Sequence, residues 1–278
     1  MSKMNTLAVV LGCSLTAFAV HANEQEFSQK YSPQEDQFHL SAYGDNYFLP
    51  WYYTTQPNQQ YYAPQNPNGG EISKTNFQFQ LSLKYGLLAN MFTQNDGLYF
   101  AYSQIANWQA YDSSAYFRDT QYQPELFWVF QHGDNSAQWQ WRHTSVGFMH
   151  QSNGKGGKYE RSWNRFYVDL QFGSDDLRVN IRPWVRTSIH NSHNYNPDIE
   201  DFMGYGDIQL AWTPGNHQLK LTLRNQLESS FSEGYEELSW QFPIYKQLHG
   251  YLKLQSGYGL TISDYNHYDN AVGIGIAL

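Results

Sequence analysis

The stretch NFQFQLSLKYGL, residues 76–87, alternates apolar and polar side chains along its whole length. Phe77, Phe79, Leu81, Leu83, Tyr85 and Leu87 fall on one parity, and Asn76, Gln78, Gln80, Ser82, Lys84 and Gly86 on the other. Residues two apart in a β-strand share a face, so this segment has one apolar and one polar side. Weaker alternation recurs in LRVNIR (177–182), in QLKLTLRNQL (218–227), and at the end of the chain through Val272, Ile274, Ile276 and Leu278. Repeated segments of about ten residues with this period are the signature of a transmembrane β-barrel.

Twelve such segments can be drawn along the chain, over 36–43, 76–88, 97–108, 124–132, 138–152, 162–172, 176–186, 204–213, 217–228, 235–243, 249–260 and 268–278. The connections after every second strand are short and turn-like: NDG, HGDNS, GSDD, TPGN and YKQLHG. The others are longer, and the first of them runs from Tyr43 to Gly70, with a Pro/Gln/Asn-rich part from Gln56 onward. Short turns at one end and long loops at the other fit an outer-membrane barrel with both termini on the periplasmic side. A soluble β-sandwich would show the same alternation, but no set of strands suggests a second sheet to cover the apolar faces. The expected fold is therefore all-β, a twelve-stranded antiparallel transmembrane β-barrel spanning residues 23–278.

Composition agrees. The chain has 278 residues, a formal net charge of −8 and no basic run, which argues against a nucleic-acid partner. Aromatics make up 18% of it, with 23 Tyr and 9 Trp, while the mean hydropathy is −0.66. A polar lumen with aromatic girdles has that composition, and clusters such as WYY (51–53) and QYYAP (60–64) are read as girdle residues. Lys3 followed by the apolar run Leu7–Val20 reads as an export signal, with cleavage after Ala22 and residues 1–22 removed. The sole cysteine, Cys13, lies in that run. VLGC resembles a lipoprotein box but has too little apolar sequence before it. No other stretch approaches the ~18 apolar residues of a membrane helix.

One strand end carries candidate chemistry. In SVGFMHQS (145–152), His150 and Ser152 share the parity of Val146 and Phe148, the side that should meet lipid. If NGKGGKYER (153–161) is the loop of a hairpin, Ser152 faces Ser162 and His150 faces Asn164 on the next strand. Opposed residues have Cβ atoms ~4.5–5.5 Å apart. Serine can attack an ester, histidine can take its proton, and asparagine can orient the imidazole. Gly154 leaves room for a backbone N–H to meet a developing oxyanion. A lone His-x-Ser on a strand usually carries no chemistry. Polar groups aimed at lipid need a reason, however. His190 and His193 lie in a polar loop without metal-ligand spacing and are read as solvated.

GFMHQSNG (147–154) followed by RSWNR (161–165) resembles the signature of the outer membrane phospholipase A family, including the fourteen-residue step from His150 to Asn164. GDNYFLP (44–50), NPDI (196–199) with MGY after it, and SGYG (256–259) with DYN extend the likeness over nearly the whole mature chain. The resemblance implies a calcium-dependent hydrolase of phospholipid and lysophospholipid acyl esters, with Ser152 as nucleophile, His150 as base and Asn164 as orienting group. It also implies a resting monomer and an active homodimer whose sites lie at the subunit interface, facing the outer leaflet. The Ca²⁺ ligands it implies are the Lys155 carbonyl and Ser114 from the partner chain. A third position, serine in the family, is Glu160 in this chain. A carboxylate binds Ca²⁺ more strongly than a hydroxyl does. Gln104 matches a glutamine at the family's dimer interface, and an ordinary inward-facing Gln is the alternative. Two other functions stay open: a passive porin or structural barrel, and a barrel esterase acting on lipid A.

Overall fold

The structure, a computed structural model, describes residues 31–133, 138–187, 194–227, 229–230 and 232–278. The expected leader, His190 and His193 lie outside the described residues. A short strand β1 (Leu40–Ala42) precedes twelve strands that form a closed ring. They are β2 (Tyr47–Thr54), β3 (Thr75–Ala89), β4 (Asp96–Gln109), β5 (Tyr116–Gln131), β6 (Gln140–Ser152) and β7 (Ser162–Gly173), then β8 (Leu177–Thr187), β9 (Gly206–Trp212), β10 (Gln218–Arg224), β11 (Tyr235–Tyr245), β12 (Leu248–Tyr258) and β13 (Tyr268–Ala277). Each pairs antiparallel with the next, and β13 pairs with β2 to close the barrel. Closure leaves no strand edge, the condition for carrying a sheet through lipid.

Burial runs opposite to that of a soluble protein. On β3, Asn76, Gln78, Ser82 and Lys84 are buried, Gln78 to 2% exposure, while Leu81 is 46% exposed. The polar parity lines the lumen and the apolar parity forms the outer wall. A β-sandwich would reverse this, so that alternative is excluded.

The lumen is filled by side chains that satisfy one another. Arg182 pairs with Asp169 at 2.7 Å, Tyr167 donates to Glu125 at 2.9 Å, and Lys253 donates to Tyr47 Oη at 2.9 Å. The Tyr43–Asn46 link between β1 and β2 crosses this space. Tyr43 donates to Glu125 on β5 at 3.3 Å, and Gly44 N donates to Ser82 Oγ at 2.9 Å. Asp45 accepts from Tyr251 on β12 at 2.9 Å and pairs with Lys220 on β10. Buried charges are tolerable when paired in this way.

The structure corrects three expectations. The first barrel strand is β2, which lies inside the supposed long loop; only β1 overlaps the expected 36–43 segment. Pro50 explains why β2 was hidden. The registers of β2 with both neighbours shift around it, so Tyr47 and Leu49 are buried before it and Tyr52 and Thr54 after it. A bulge of this kind breaks the dyad pattern. Second, β5 begins at Tyr116, eight residues earlier than expected, because Pro124 reads as a strand start. Third, the QYYAP cluster is not a girdle: Tyr61 and Tyr62 belong to a helical turn, α1 (Gln59–Tyr62), and are buried. Within WYY the roles divide. Trp51 and Tyr53 stack at 6.2 Å on one side, while Tyr52 points inward and donates to Gln255 at 2.6 Å.

Candidate active site

Strands β6 and β7 meet in the register expected from sequence: His150 opposite Asn164 and Ser152 opposite Ser162. His150 Nδ1 lies 2.8 Å from Asn164 Oδ1. An amide oxygen only accepts, so Nδ1 is the donor in this contact and Nε2 is the ring nitrogen left for a base role. Ser152 is two residues further along the same face. Its Oγ makes no side-chain hydrogen bond among the described residues, so the Ser–His contact is not closed here. Contacts of this type tighten when substrate binds.

This face is the outer wall. Val146 and Phe166 in the adjoining rows are about half exposed, and Phe148 meets Phe166 edge to face at 5.2 Å. The alternate residues anchor β6 from the lumen side. Gln151 donates to Gln121 at 3.1 Å and accepts from Trp163 Nε1 at 2.8 Å, while the Arg165 guanidinium lies 4.0 Å from the Trp163 ring. A polar pair on the wall is thus held by a rigid polar layer beneath it.

Two neighbours on β5 were not legible as site residues. Tyr122 is the cross-strand partner of Ser152. The β4–β5 ladder runs unbroken through Tyr102 and Pro124, but the β5–β6 ladder skips from Tyr122–Ser152 to Glu125–Met149. Pro124, which has no N–H, therefore stands opposite His150, and it accounts for the gap. A proline within an apolar strand was the available signal.

The loop after Ser152 is organised by Asn153, which is buried. Its Oδ1 accepts from the N–H groups of Lys155 and Arg161, both at 3.1 Å. Its Nδ2 lies 2.9 Å from Tyr61 Oη, 2.9 Å from Tyr159 O and 3.0 Å from Ser263 Oγ. Gly154, exposed beside Ser152, has φ +66°, and a Cβ there would lie 2.6 Å from Tyr122 Cε2. Both the backbone conformation and the space require glycine.

The expected metal-binding residues are placed as follows. Glu160 is half-buried, and Ser162 donates to its Oε1 at 3.5 Å, which sets the carboxylate beside the Ser152–Ser162 row. Lys155 directs its ammonium inward, donating to Gln65 Oε1 at 2.7 Å and to Arg118 O at 3.0 Å, and burial lowers its pKa. Ser114 is exposed in the loop between β4 and β5. No group of three His, Cys, Asp or Glu residues suited to a metal occurs among the described residues. A carbonyl, a carboxylate and a hydroxyl are the oxygen donors a hard cation such as Ca²⁺ takes. One chain alone falls short of the six to eight ligands it prefers. Gln104 shares the outer-wall row of Leu81 and Tyr122 and accepts from Tyr102 Oη at 2.8 Å, so it does not face the lumen.

Comparisons with known proteins agree with this fold. The Phospholipase A1 family model matches residues 23–278. A Neisseria meningitidis protein provisionally assigned as a phospholipase A1 is 35% identical over 244 residues, covering 83% of this chain and 63% of its own length. This chain thus spans less than two thirds of that relative. Phospholipase A1 of Klebsiella pneumoniae is 32% identical over 250 residues, covering 88% of this chain and 84% of that one. Among solved structures, the Salmonella typhi outer membrane phospholipase dimer with bound calcium superposes with a TM-score of 0.80 at 31% identity, covering 88% of this chain and 94% of that one.

Proposed function

The chain belongs to the phospholipase A1 family as an integral outer-membrane barrel, and from that premise we propose that it hydrolyses the acyl esters of phospholipids and lysophospholipids by a Ser152–His150–Asn164 mechanism. The observation that carries this reading is the 2.8 Å His150–Asn164 contact on the lipid-facing wall, with Ser152 on the same face. A base and a nucleophile that face lipid are aimed at a lipid substrate.

In this mechanism Ser152 Oγ attacks the ester carbonyl carbon while His150 Nε2 takes its proton. Asn164 Oδ1 holds the Nδ1–H and steadies the imidazolium that forms. The carbonyl oxygen becomes an oxyanion, which accepts from the Gly154 N–H. His150 then protonates the departing glycerol oxygen and the lysophospholipid leaves. Water, deprotonated by His150, attacks the acyl–Ser152 ester, and the fatty acid departs as Ser152 regains its proton.

Ca²⁺ fits the oxygen donors of Lys155 and Glu160 with Ser114 from a partner chain, and when bound it would add positive charge near the developing oxyanion. Activity then requires a homodimer, with Gln104 on the shared face and the monomer as the resting state. The site faces the outer leaflet, at the long-loop end of the barrel. A passive pore has less support, because Asp45 and Tyr43 bridge the lumen from wall to wall.

The test is covalent labelling by a serine-reactive sulfonyl fluoride carrying a long alkyl chain. Modification should map to Ser152 and disappear in His150→Ala. Labelling elsewhere, or none in the presence of Ca²⁺, rejects the mechanism. Products from lipid A rather than phospholipid would instead support the esterase alternative.

A further inference from the structure

We infer that the segment Gln59–Gly70 is a strap that positions both halves of the shared metal site: the Lys155–Glu160 loop through Tyr61 and Gln65, and Ser114 through Asn68. This rests on the proposed dimeric reading and assigns roles to residues outside it.

The strap is itself well built. Asn58 Oδ1 caps α1 by accepting from Tyr61 N at 3.1 Å. Gln59 ties the start of the strap to its end, donating to Ile72 O at 3.0 Å and accepting from Ile72 N at 2.8 Å. Asn66 closes the following turn: its Oδ1 accepts from Asn68 N at 2.9 Å, and its Nδ2 donates to Gly69 O at 3.1 Å. These are local side-chain bonds that fix a loop without help from a sheet.

It touches two loops, the β6–β7 loop and the β4–β5 loop. On one side Tyr61 Oη donates to Tyr159 O at 2.5 Å and lies 2.9 Å from Asn153 Nδ2. Gln65 Oε1 accepts from Lys155 Nζ at 2.7 Å, and the Arg161 guanidinium lies 5.1 Å from the Tyr61 ring. These contacts bracket the loop carrying Gly154, the Lys155 carbonyl and Glu160. Burial pushes the Tyr61 phenol up to about 12, so it remains a donor through the neutral range. On the other side Asn68 Nδ2 donates to Ser114 O at 2.9 Å, and Ser113 Oγ donates to Asn68 Oδ1 at 3.4 Å. Ser114 is exposed and free to reach a second copy.

The consequence is an asymmetry between chains. Tyr61 acts on the metal site of its own chain, whereas Asn68 acts on the site of the partner, because Ser114 serves there. Loss of one such bond corresponds to about a fivefold change in an equilibrium constant. Tyr61→Phe and Asn68→Ala, neither of which removes a proposed ligand, should each raise the Ca²⁺ concentration for half-maximal dimerisation about fivefold, read by sedimentation in detergent.

Mixed dimers separate the two effects. One chain carries Ser152→Ala, so all hydrolysis comes from the other. Asn68→Ala in the inactive chain should raise the Ca²⁺ requirement of the active site, while the same change in the active chain should leave it near wild type. Tyr61→Phe should show the reverse pattern. Ser114→Ala in the inactive chain is the reference. If it raises the requirement and Asn68→Ala beside it does not, the strap is refuted and the shared site stands. If Ser114→Ala has no effect there, the shared site itself is wrong and the strap falls with it.

Discussion

Removing the Asn164 side chain should slow the reaction without unfolding the barrel, by an amount the geometry bounds. Asn164 Oδ1 meets His150 Nδ1 at 2.8 Å, and the imidazole becomes positive as it takes the serine proton. A hydrogen bond to a charged group contributes about 1.5–3 kcal/mol, which corresponds to a roughly 10- to 150-fold fall in kcat for Asn164→Ala. KM should hardly move, since Asn164 acts on His150 and not on substrate. His150→Ala removes the base itself and should cost on the order of ten-thousand-fold. Asn164→Asp, which keeps an acceptor at the same place, should recover part of the rate. The backbone pairing of Asn164 to His150 and Thr187 is untouched by these changes, so the β-sheet circular dichroism should be preserved. Initial rates on a defined diacyl phospholipid in mixed micelles would measure the series. A loss in Asn164→Ala as complete as that of His150→Ala, in a folded barrel, would refute an orienting role.

Asp45→Ala should destabilise the barrel by about 3 kcal/mol in urea unfolding from lipid vesicles, because Lys220 loses its partner inside the lumen. Adding Lys220→Met should recover much of that loss. Glu160→Ser should raise the Ca²⁺ concentration needed for activity, and Ser114→Ala should do the same through the partner chain; a titration unchanged in both would remove these residues from the metal site. Gly154→Ala should lower kcat and stability together, since its φ of +66° and the 2.6 Å approach to Tyr122 leave no place for a methyl group. Melting and rate measurements on the purified variant would check both effects.

The parts of the structure that sequence made legible are those where one face differs sharply from the other. β3 shows its alternation because lipid and lumen impose opposite demands on neighbouring residues. The β6–β7 register was legible because hairpin pairing from a known loop length leaves one arrangement that opposes His150 and Asn164. β2 was hidden because the bulge at Pro50 exchanges its faces midway. The early start of β5 was hidden because Pro124 sits where a ladder bond is missing, a fact that depends on β6. Tyr61, Asn68 and Asn153 hold the site through contacts between separate loops, which no local pattern encodes. Tyr61 and Asn153 are 92 residues apart. Gln104 was ambiguous between wall and lumen until its partners Leu81 and Tyr122 fixed its side.

Fatty-acid release from a defined diacyl phospholipid in detergent, followed with Ca²⁺ and with a chelator for wild type and Ser152→Ala, is the most direct measurement. Wild type should release fatty acid only with Ca²⁺ present, and Ser152→Ala should release none under either condition while remaining a folded barrel. Release that persists in Ser152→Ala, or no release by wild type at any Ca²⁺ concentration, would contradict a serine phospholipase on this wall.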